Sequence, residues 1–227
     1  MFWDTKHNVW VHDGQQGLTD RFIINEVKKA YKELYSYAKD KVVLDIGGNI
    51  GATAMHLAKV ARQVIVVEPE PVNFAIMKKN LEKFNNVICI NAGVSTCTGT
   101  ATLYVNTKNN TGLHTLIPMH GRKELVINTI AFDELLNTYM PDALKFDAEG
   151  AEQVVRQTLT NLPAYVKFIA IEYDVKPGAM LRAGYGRDAS VRLFDDVASQ
   201  FTEIRRKYPD INAIAAHRHA AFYVGER

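Results

Sequence analysis

The run Lys41-Val42-Val43-Leu44-Asp45-Ile46-Gly47-Gly48-Asn49-Ile50-Gly51 constrains this chain more than any other. A short apolar stretch, the length of a buried strand, ends in an acid and passes at once into a glycine-rich turn. A helix is expected from about Ala52 to Val60. Glycines in such a turn let the backbone bend sharply and bring its N–H groups against a ligand.

The same alternation continues downstream. Gln63–Val67 reads as a second buried strand, and Pro71 suits the first turn of a helix whose apolar stripe is Phe74, Met77, Leu81 and Phe84. Asn86–Ile90 is a third strand, Ala143–Phe146 a fourth and Phe168–Ile171 a fifth. Strand, helix, strand in this order predicts a parallel sheet with right-handed crossovers. Residues 95–130 interrupt the rhythm with two further strands, Ala101–Asn106 and Leu125–Ile130, around the loop Lys108–Gly112. Helices are expected over Asp133–Tyr139, Glu149–Leu159 and Val191–Phe201, and Glu203–Arg206 with Ala220–Val224 reads as a closing antiparallel pair. Ahead of the glycine turn, residues 1–17 read as an irregular cover. Thr19 or Asp20 would cap a helix carrying Phe22, Ile23, Val27, Ala30, Tyr31 and Leu34 on one stripe. The expectation is a cover and helix over residues 1–38 and one α/β domain over residues 39–227.

With 227 residues, 47% of them hydrophobic, the chain is large enough to bury roughly 70% of its unfolded surface without a staple. Its 27 basic and 25 acidic residues leave a net charge of +2, which argues against nucleic acid as a partner, since phosphate contacts dominate such binding. Cys89 and Cys97 form no metal-binding pattern and read as free thiols of a reducing compartment. No apolar segment approaches the ~20 residues of a membrane span, and no apolar run follows Met1-Phe2-Trp3-Asp4. A cytoplasmic protein without a membrane partner is expected. No motif bears on its oligomeric state.

Acids stand at the ends of the expected strands. Asp45 precedes Gly47, Gly48 and Gly51, a GGxxG pattern rather than the GxGxxG of a nicotinamide site. A carboxylate there would repel a pyrophosphate and attract an ammonium, which S-adenosylmethionine (SAM) carries beside its sulfonium. Glu68, before Pro69, is placed to accept both hydroxyls of a ribose. Asn91, before Ala92, offers an adenine contact or a simple Asx turn. Asp147, Glu149 and Glu152 cluster where an open α/β sheet puts its active site, and Glu172 ends the neighbouring strand with Asp174 behind it. Acids also suit a helix N-terminus, which explains Glu149 or Glu152 without any function. Convergent carboxylates raise one another's pKa and make a general base of Asp147, Glu149 or Glu172; they would equally hold a divalent cation, although no metal-ligand motif is present. His114 is a further candidate base, Tyr31, Tyr35 and Tyr37 a candidate aromatic wall, and the loop Lys176–Gly186, with Gly178 and Gly184, a candidate lid. His217, His219 and the cluster Arg205-Arg206-Lys207 read as solvated.

The runs VVLDIGGNIG, VVEPEPVNFAIMKKNL, INAGVS, FDELL and LKFDAEGAE, in this order and spacing, resemble the FkbM family of SAM-dependent methyltransferases over residues 40–175. That resemblance implies a Rossmann-like sheet of seven strands with the last antiparallel, and methyl transfer to a hydroxyl of a sugar or other small molecule. Carried over, Asp45, Gly47, Asn49 and Gly51 would hold the methionine part of SAM, with Gly48 beside them, Glu68 its ribose, and Asp147 would lie near the methyl. Gly48 stands where the family commonly has Ala, and Glu70 where Asn is usual. A small-molecule or glycan acceptor is expected. The alternatives are ribose 2′-O methylation of RNA, for which Lys145 is the one well-placed lysine, a nicotinamide oxidoreductase, and an inactive ligand-binding module.

Overall fold

The first residues are a hairpin rather than an irregular cover: β1 (Phe2–Asp4) pairs antiparallel with β2 (Val9–Val11), Phe2 opposite Val11. In this computed structural model, which describes residues 1–108, 110–173, 184–185, 189–206 and 221–226, the hairpin leads into α1 (Gly14–Ala30) and α2 (Lys32–Tyr37). The helix thus begins ahead of Thr19 and Asp20, with Asp13 at its N-cap position. Asp20 is fully buried in mid-helix, where its carboxylate is occupied by other partners, so it has no capping role. Val27, Ala30, Tyr31 and Leu34 are buried as expected, whereas Phe22 is 66% exposed.

β3 (Val42–Ile46), α3 (Ala52–Leu57), β4 (Gln63–Val67), α4 (Pro71–Leu81) and β5 (Val87–Ile90) follow in strand–helix alternation. β6 (Gly93–Ser95), β7 (Gly99–Val105) and β8 (Lys123–Ala131) form a separate three-stranded sheet, the expected insertion. The chain continues through α5 (Phe132–Tyr139), β9 (Ala143–Phe146), α6 (Ala151–Val154), α7 (Arg156–Leu159), β10 (Phe168–Tyr173), α8 (Ala189–Ala198), β11 (Glu203–Arg206) and β12 (Ala221–Glu226). The single helix expected over 149–159 is two, because Val155 leaves the helical region at φ −100°.

The main sheet has seven strands in the order β11-β12-β10-β9-β3-β4-β5. The five from β10 to β5 run parallel, and β12 is antiparallel to both of its neighbours. Strand alternation divides the core in two. Val42, Leu44, Ile46, Ile65 and Val67 pack with α5, α8 and Phe146 on one face. Val43, Val64, Val66, Ala143, Phe168 and Ala170 pack with α1 to α4 on the other. The N-terminal segment therefore shares a core with the sheet. Among the described residues no helix is long and apolar enough to cross a membrane.

Asn80 joins the hairpin to the sheet layer. Buried on α4, it accepts from the Trp10 N–H at 2.6 Å and donates to Trp10 O at 3.0 Å and Ile50 O at 2.8 Å. Asn80→Ala strands three backbone groups with little water to replace it. We expect a loss of about 2–4 kcal/mol, read by urea unfolding followed through tryptophan fluorescence with an unchanged m-value.

Candidate functional site

Period-two alternation places several charged residues on the α1 face of the sheet. Asp45 lies two residues from Val43, Lys145 two from Ala143, and Glu172 two from Ala170, and Asp45 and Lys145 are register partners. The Lys145 ammonium is buried and stands 3.2 Å from Asp45 Oδ1 and 3.5 Å from Asp147 Oδ2. Its protons are directed to Gly47 O at 2.8 Å and Ile46 O at 3.3 Å, so Asp45 is ion-paired but neither of its oxygens has an aligned donor. Burial raises the pKa of the Asp45 carboxyl, and Lys145 opposes that rise. For Lys145 itself burial works against the charge, but Asp45 and Asp147 outweigh it and hold the ammonium above the usual lysine range.

The turn that follows β3 consumes its own donors. The N–H groups of Gly47 and Gly48 both donate to Val67 O at 3.0 Å, that of Asn49 to Glu68 Oε2 at 2.8 Å, that of Ile50 to Asn49 Oδ1 and that of Gly51 to Gly48 O. The expectation that these amides face a ligand is therefore corrected. Gly47, at φ +81°, is required because a Cβ there would lie 1.8 Å from Asp147 O, so tightly do the ends of β3 and β9 approach. Gly48 faces away from the cavity, where a Cβ would strike Val66 and Met77. The Ala common in the family does not fit this packing.

Glu68 ends β4 and is buried. Besides the Asn49 amide it accepts from the Glu70 N–H at 2.9 Å and Asn73 Nδ2 at 3.4 Å, yet burial pushes its carboxyl up to about 7. Glu70 caps α4 by accepting from the Asn73 N–H at 2.7 Å.

These groups border a cavity of about 400 Å³ at the carboxyl edge of the sheet, lined among others by Gly47, Asn49, Glu68, Ala92, Asp147 and Glu172. Its roof is the loop between β7 and β8. Thr111 O accepts from Asn49 Nδ2 and Asn73 Nδ2, both at 3.1 Å, and its hydroxyl donates to Asp20 Oδ1 at 3.0 Å. Asp20 Oδ2 in turn accepts from the His12 N–H at 2.7 Å and meets His12 Nδ1 at 2.9 Å. The floor near Asp147 comes from the junction of α1 and α2: Tyr31 donates its hydroxyl to Asp147 Oδ2 at 3.0 Å, and the Lys145 ammonium lies 5.7 Å from its ring centre. Burial first, and the Asp147 charge second, keep Tyr31 a phenol. Glu172 is held well above the usual carboxylate range by burial and by the charges of Asp147 and Glu149.

The cavity brings together Gly47, Asn49, Glu68, Pro69, Ala92, Asp147, Glu149 and Glu172 from the expected set. Asp45, Gly48, Gly51 and Asn91 do not line it. Asp45 lies behind Lys145, and Asn91 donates to Glu68 O at 2.8 Å and Pro69 O at 3.2 Å, a local staple of the strand end. Glu152 is buried and accepts from the Gly150 N–H at 2.9 Å, the structural role open to it from the sequence. His114 lines the cavity, but the Asn106 N–H donates to its Nδ1 at 3.1 Å, and burial lowers its pKa to about 4. It is a neutral donor through Nε2, too weak a base for the role considered for it. Tyr35 donates to Val27 O and Tyr37 stacks on Phe168, so of the three tyrosines only Tyr31 reaches the cavity. The sequence reading missed Asp20, Asn73 and Thr111. An acid on the apolar stripe of α1 and an asparagine on that of α4 were the available signals. The candidate lid Lys176–Gly186, apart from residues 184 and 185, lies outside the described residues, as do Asp174, Lys207, His217 and His219. Among the described residues no three His, Cys, Asp or Glu side chains are grouped to hold a metal ion.

Lys145→Met leaves Asp45 a buried carboxylate without a counterion. The expected loss is about 3–5 kcal/mol at pH 7. A group whose folded pKa is raised gives up stability as pH rises through that value, so the loss shrinks as Asp45 takes up a proton in acid. Thermal unfolding of both proteins at pH 5 and pH 7 measures this.

Comparison with known proteins agrees with the motif reading. The family model of the methyltransferase FkbM domain matches residues 45–155. The chain is 29% identical over 138 residues to the hexuronic acid methyltransferase AglP of Haloferax volcanii, a match covering 59% of this chain and 56% of the relative. It thus spans about half the length of that curated relative. Among solved structures, a precorrin-6y C5,15-methyltransferase from Geobacter metallireducens is 12% identical, with 96% of this chain and 94% of that chain covered at a TM-score of 0.48. An O-methyltransferase from Bacillus cereus in complex with S-adenosylhomocysteine is 11% identical, with 89% and 81% covered and a TM-score of 0.48. Structural likenesses of this size carry no argument about function. The family match is the firmer likeness: residues 45–155 of this chain are similar to the methyltransferase FkbM domain.

Proposed function

We propose that this chain is a SAM-dependent methyltransferase acting on a hydroxyl of a small molecule or glycan, a sugar foremost. The observation that carries the cofactor choice is the glycine turn, whose N–H groups are all spent within the protein. A dinucleotide pyrophosphate needs such donors at the glycine turn, whereas SAM carries no phosphate and has a single carboxylate as its anionic group. The cavity of about 400 Å³ is of small-molecule size. Among the described residues, Glu68 Oε2 accepts from the Asn49 amide alone, so it keeps an acceptor site for a ribose hydroxyl. The Glu68 and Gly47–Asn49 side would hold the nucleoside and amino-acid parts. SAM would supply a methyl group already activated on a sulfonium.

The protein then has to align an acceptor oxygen with that methyl and receive one proton. Asp147, fixed by Tyr31 and Lys145, stands beside Glu149 and Glu172 at the end of the cavity where α1 contributes Glu26 and Val27. The roof held by Thr111 lies over the Asn49 and Asn73 side, where the nucleoside would sit. Support for a sugar acceptor comes from the hexuronic acid methyltransferase that the chain resembles.

Calorimetric titration with S-adenosylhomocysteine (SAH), and with NADH as control, tests the cofactor. Micromolar binding of SAH and none of NADH is expected; NADH binding, or no SAH binding, would overturn the reading. Glu68→Gln should weaken SAH about tenfold at pH 8. Ribose hydroxyls donate to the ionised form of Glu68, which sits at about 7 in the free protein. Affinity should therefore fall as pH drops below 7, by at most about tenfold per pH unit, and the Gln variant should lose that dependence. Radiolabelled methyl transfer to methyl glucoside and methyl glucuronoside tests the acceptor class.

A further inference from the structure

The carboxylates at the acceptor end of the cavity are unequally supported. Asp147 Oδ2 accepts the Tyr31 hydroxyl at 3.0 Å and faces the Lys145 ammonium at 3.5 Å. Glu149 follows in a left-handed turn at φ 47°, its backbone carbonyl accepting from the Thr115 hydroxyl, and its charge faces Arg122. Glu172 lies on β10 immediately after the register pair Ile171–Phe146, so it stands beside Asp147 across the parallel strand pair, and it lines the same cavity. Among the described residues, the groups facing it are Asp147 and Glu149 from the loop after β9, Lys145 from β9, Glu26 from α1 and Tyr31 just after α1. Three of these five are acids, and the single ammonium is already shared between Asp45 and Asp147.

We infer that Glu172 is the proton acceptor of the reaction, and that the charge of the bound sulfonium switches it between its ionised and neutral forms. This rests on the SAM reading above. Without a cation beside it, burial and the facing carboxylates favour the neutral acid of Glu172. A cation placed at that end of the cavity offsets the facing carboxylates, and Glu172 then gives up its proton to solvent. As the acceptor oxygen forms its bond to the methyl carbon, the carbon–sulfur bond breaks with its electron pair going to sulfur, and the hydroxyl proton passes to a Glu172 oxygen. The positive charge has then gone, so the facing acids again favour the protonated carboxyl. The base becomes strong only as methyl transfer removes the sulfonium charge, which opposes the reverse transfer of the proton. Asp147 is the positioning partner, since the phenol and the ammonium already occupy Oδ2.

Proton release on binding tests this without any acceptor. SAM and SAH share ribose, adenine, α-ammonium and carboxylate, so any proton lost at Glu68 is common to both and cancels. Titrating the wild-type protein with each ligand at pH 7, in two buffers of different ionisation enthalpy, counts the protons. SAM, and sinefungin with its amine in place of the sulfonium, should release up to about one proton more than SAH. Glu172→Gln should still bind SAH, which checks its fold, and should lose the difference between the ligands. Equal proton counts for SAM and SAH in the wild type would overturn the inference and leave the cofactor reading standing. A difference that persists in the Gln variant would move the role away from Glu172. If neither ligand bound, the cofactor reading would fall and this inference with it. Should the Gln variant not fold, Glu172→Ala takes its place in the same comparison, with the same outcomes.

Discussion

One buried ammonium organises the carboxyl edge of this sheet. Lys145 lies between Asp45 on β3 and Asp147 beyond β9, holds the carbonyls of Ile46 and Gly47, and sits against the ring of Tyr31. Desolvating such a charge is expensive, and the ion pair with Asp45 need not return more than it costs. What it supplies is register and direction. The glycine turn leaves β3 at a fixed angle because two of its carbonyls are bound to a side chain of the next strand, and Asp147 is fixed by the same nitrogen. The cavity thus inherits its shape from an interaction that does not line it.

A second set of polar contacts closes the cavity from above. Asp20 on α1 holds Thr111 in the insertion, and Thr111 holds Asn49 after β3 and Asn73 on α4. Four segments far apart in the chain meet at one threonine. Each partner is buried or nearly so, and an unpaired polar group there would be costly, so the contacts form together or not at all. The roof over the nucleoside side is for that reason tied to the N-terminal helix, which lies outside the matched family domain and is followed directly by Tyr31.

The extent to which this was legible from the residues differs by element. Gln63–Val67 and Ala143–Phe146 fall where the apolar runs place them, because strands buried on both faces read as continuous apolar stretches bounded by turn residues. Glu68, Asp147 and Glu172 were visible as acids at strand ends, the place where an α/β sheet presents side chains to a ligand. Asn91 and Gly48 belonged to the same motifs yet face away, since a motif records spacing and says nothing of which side chain turns inward. Asp20 looked like a helix cap and is a buried anchor, because helix α1 begins earlier and its partner Thr111 lies 91 residues further on.

The amino-acid sequence by itself determined the alternation of strand and helix, the parallel body of the sheet, the glycine turn after β3 and the acids that end its strands. Those features follow from local periodicity and from backbone freedom, which neighbouring residues settle. Only the tertiary structure decided that Asp45 pairs with Lys145, that the amides of the turn are spent on Val67 and Glu68, and that Tyr31, just after the first helix, reaches Asp147. Each of those is a contest among distant groups for a limited number of buried donors and acceptors, and it is resolved only when the strands are side by side.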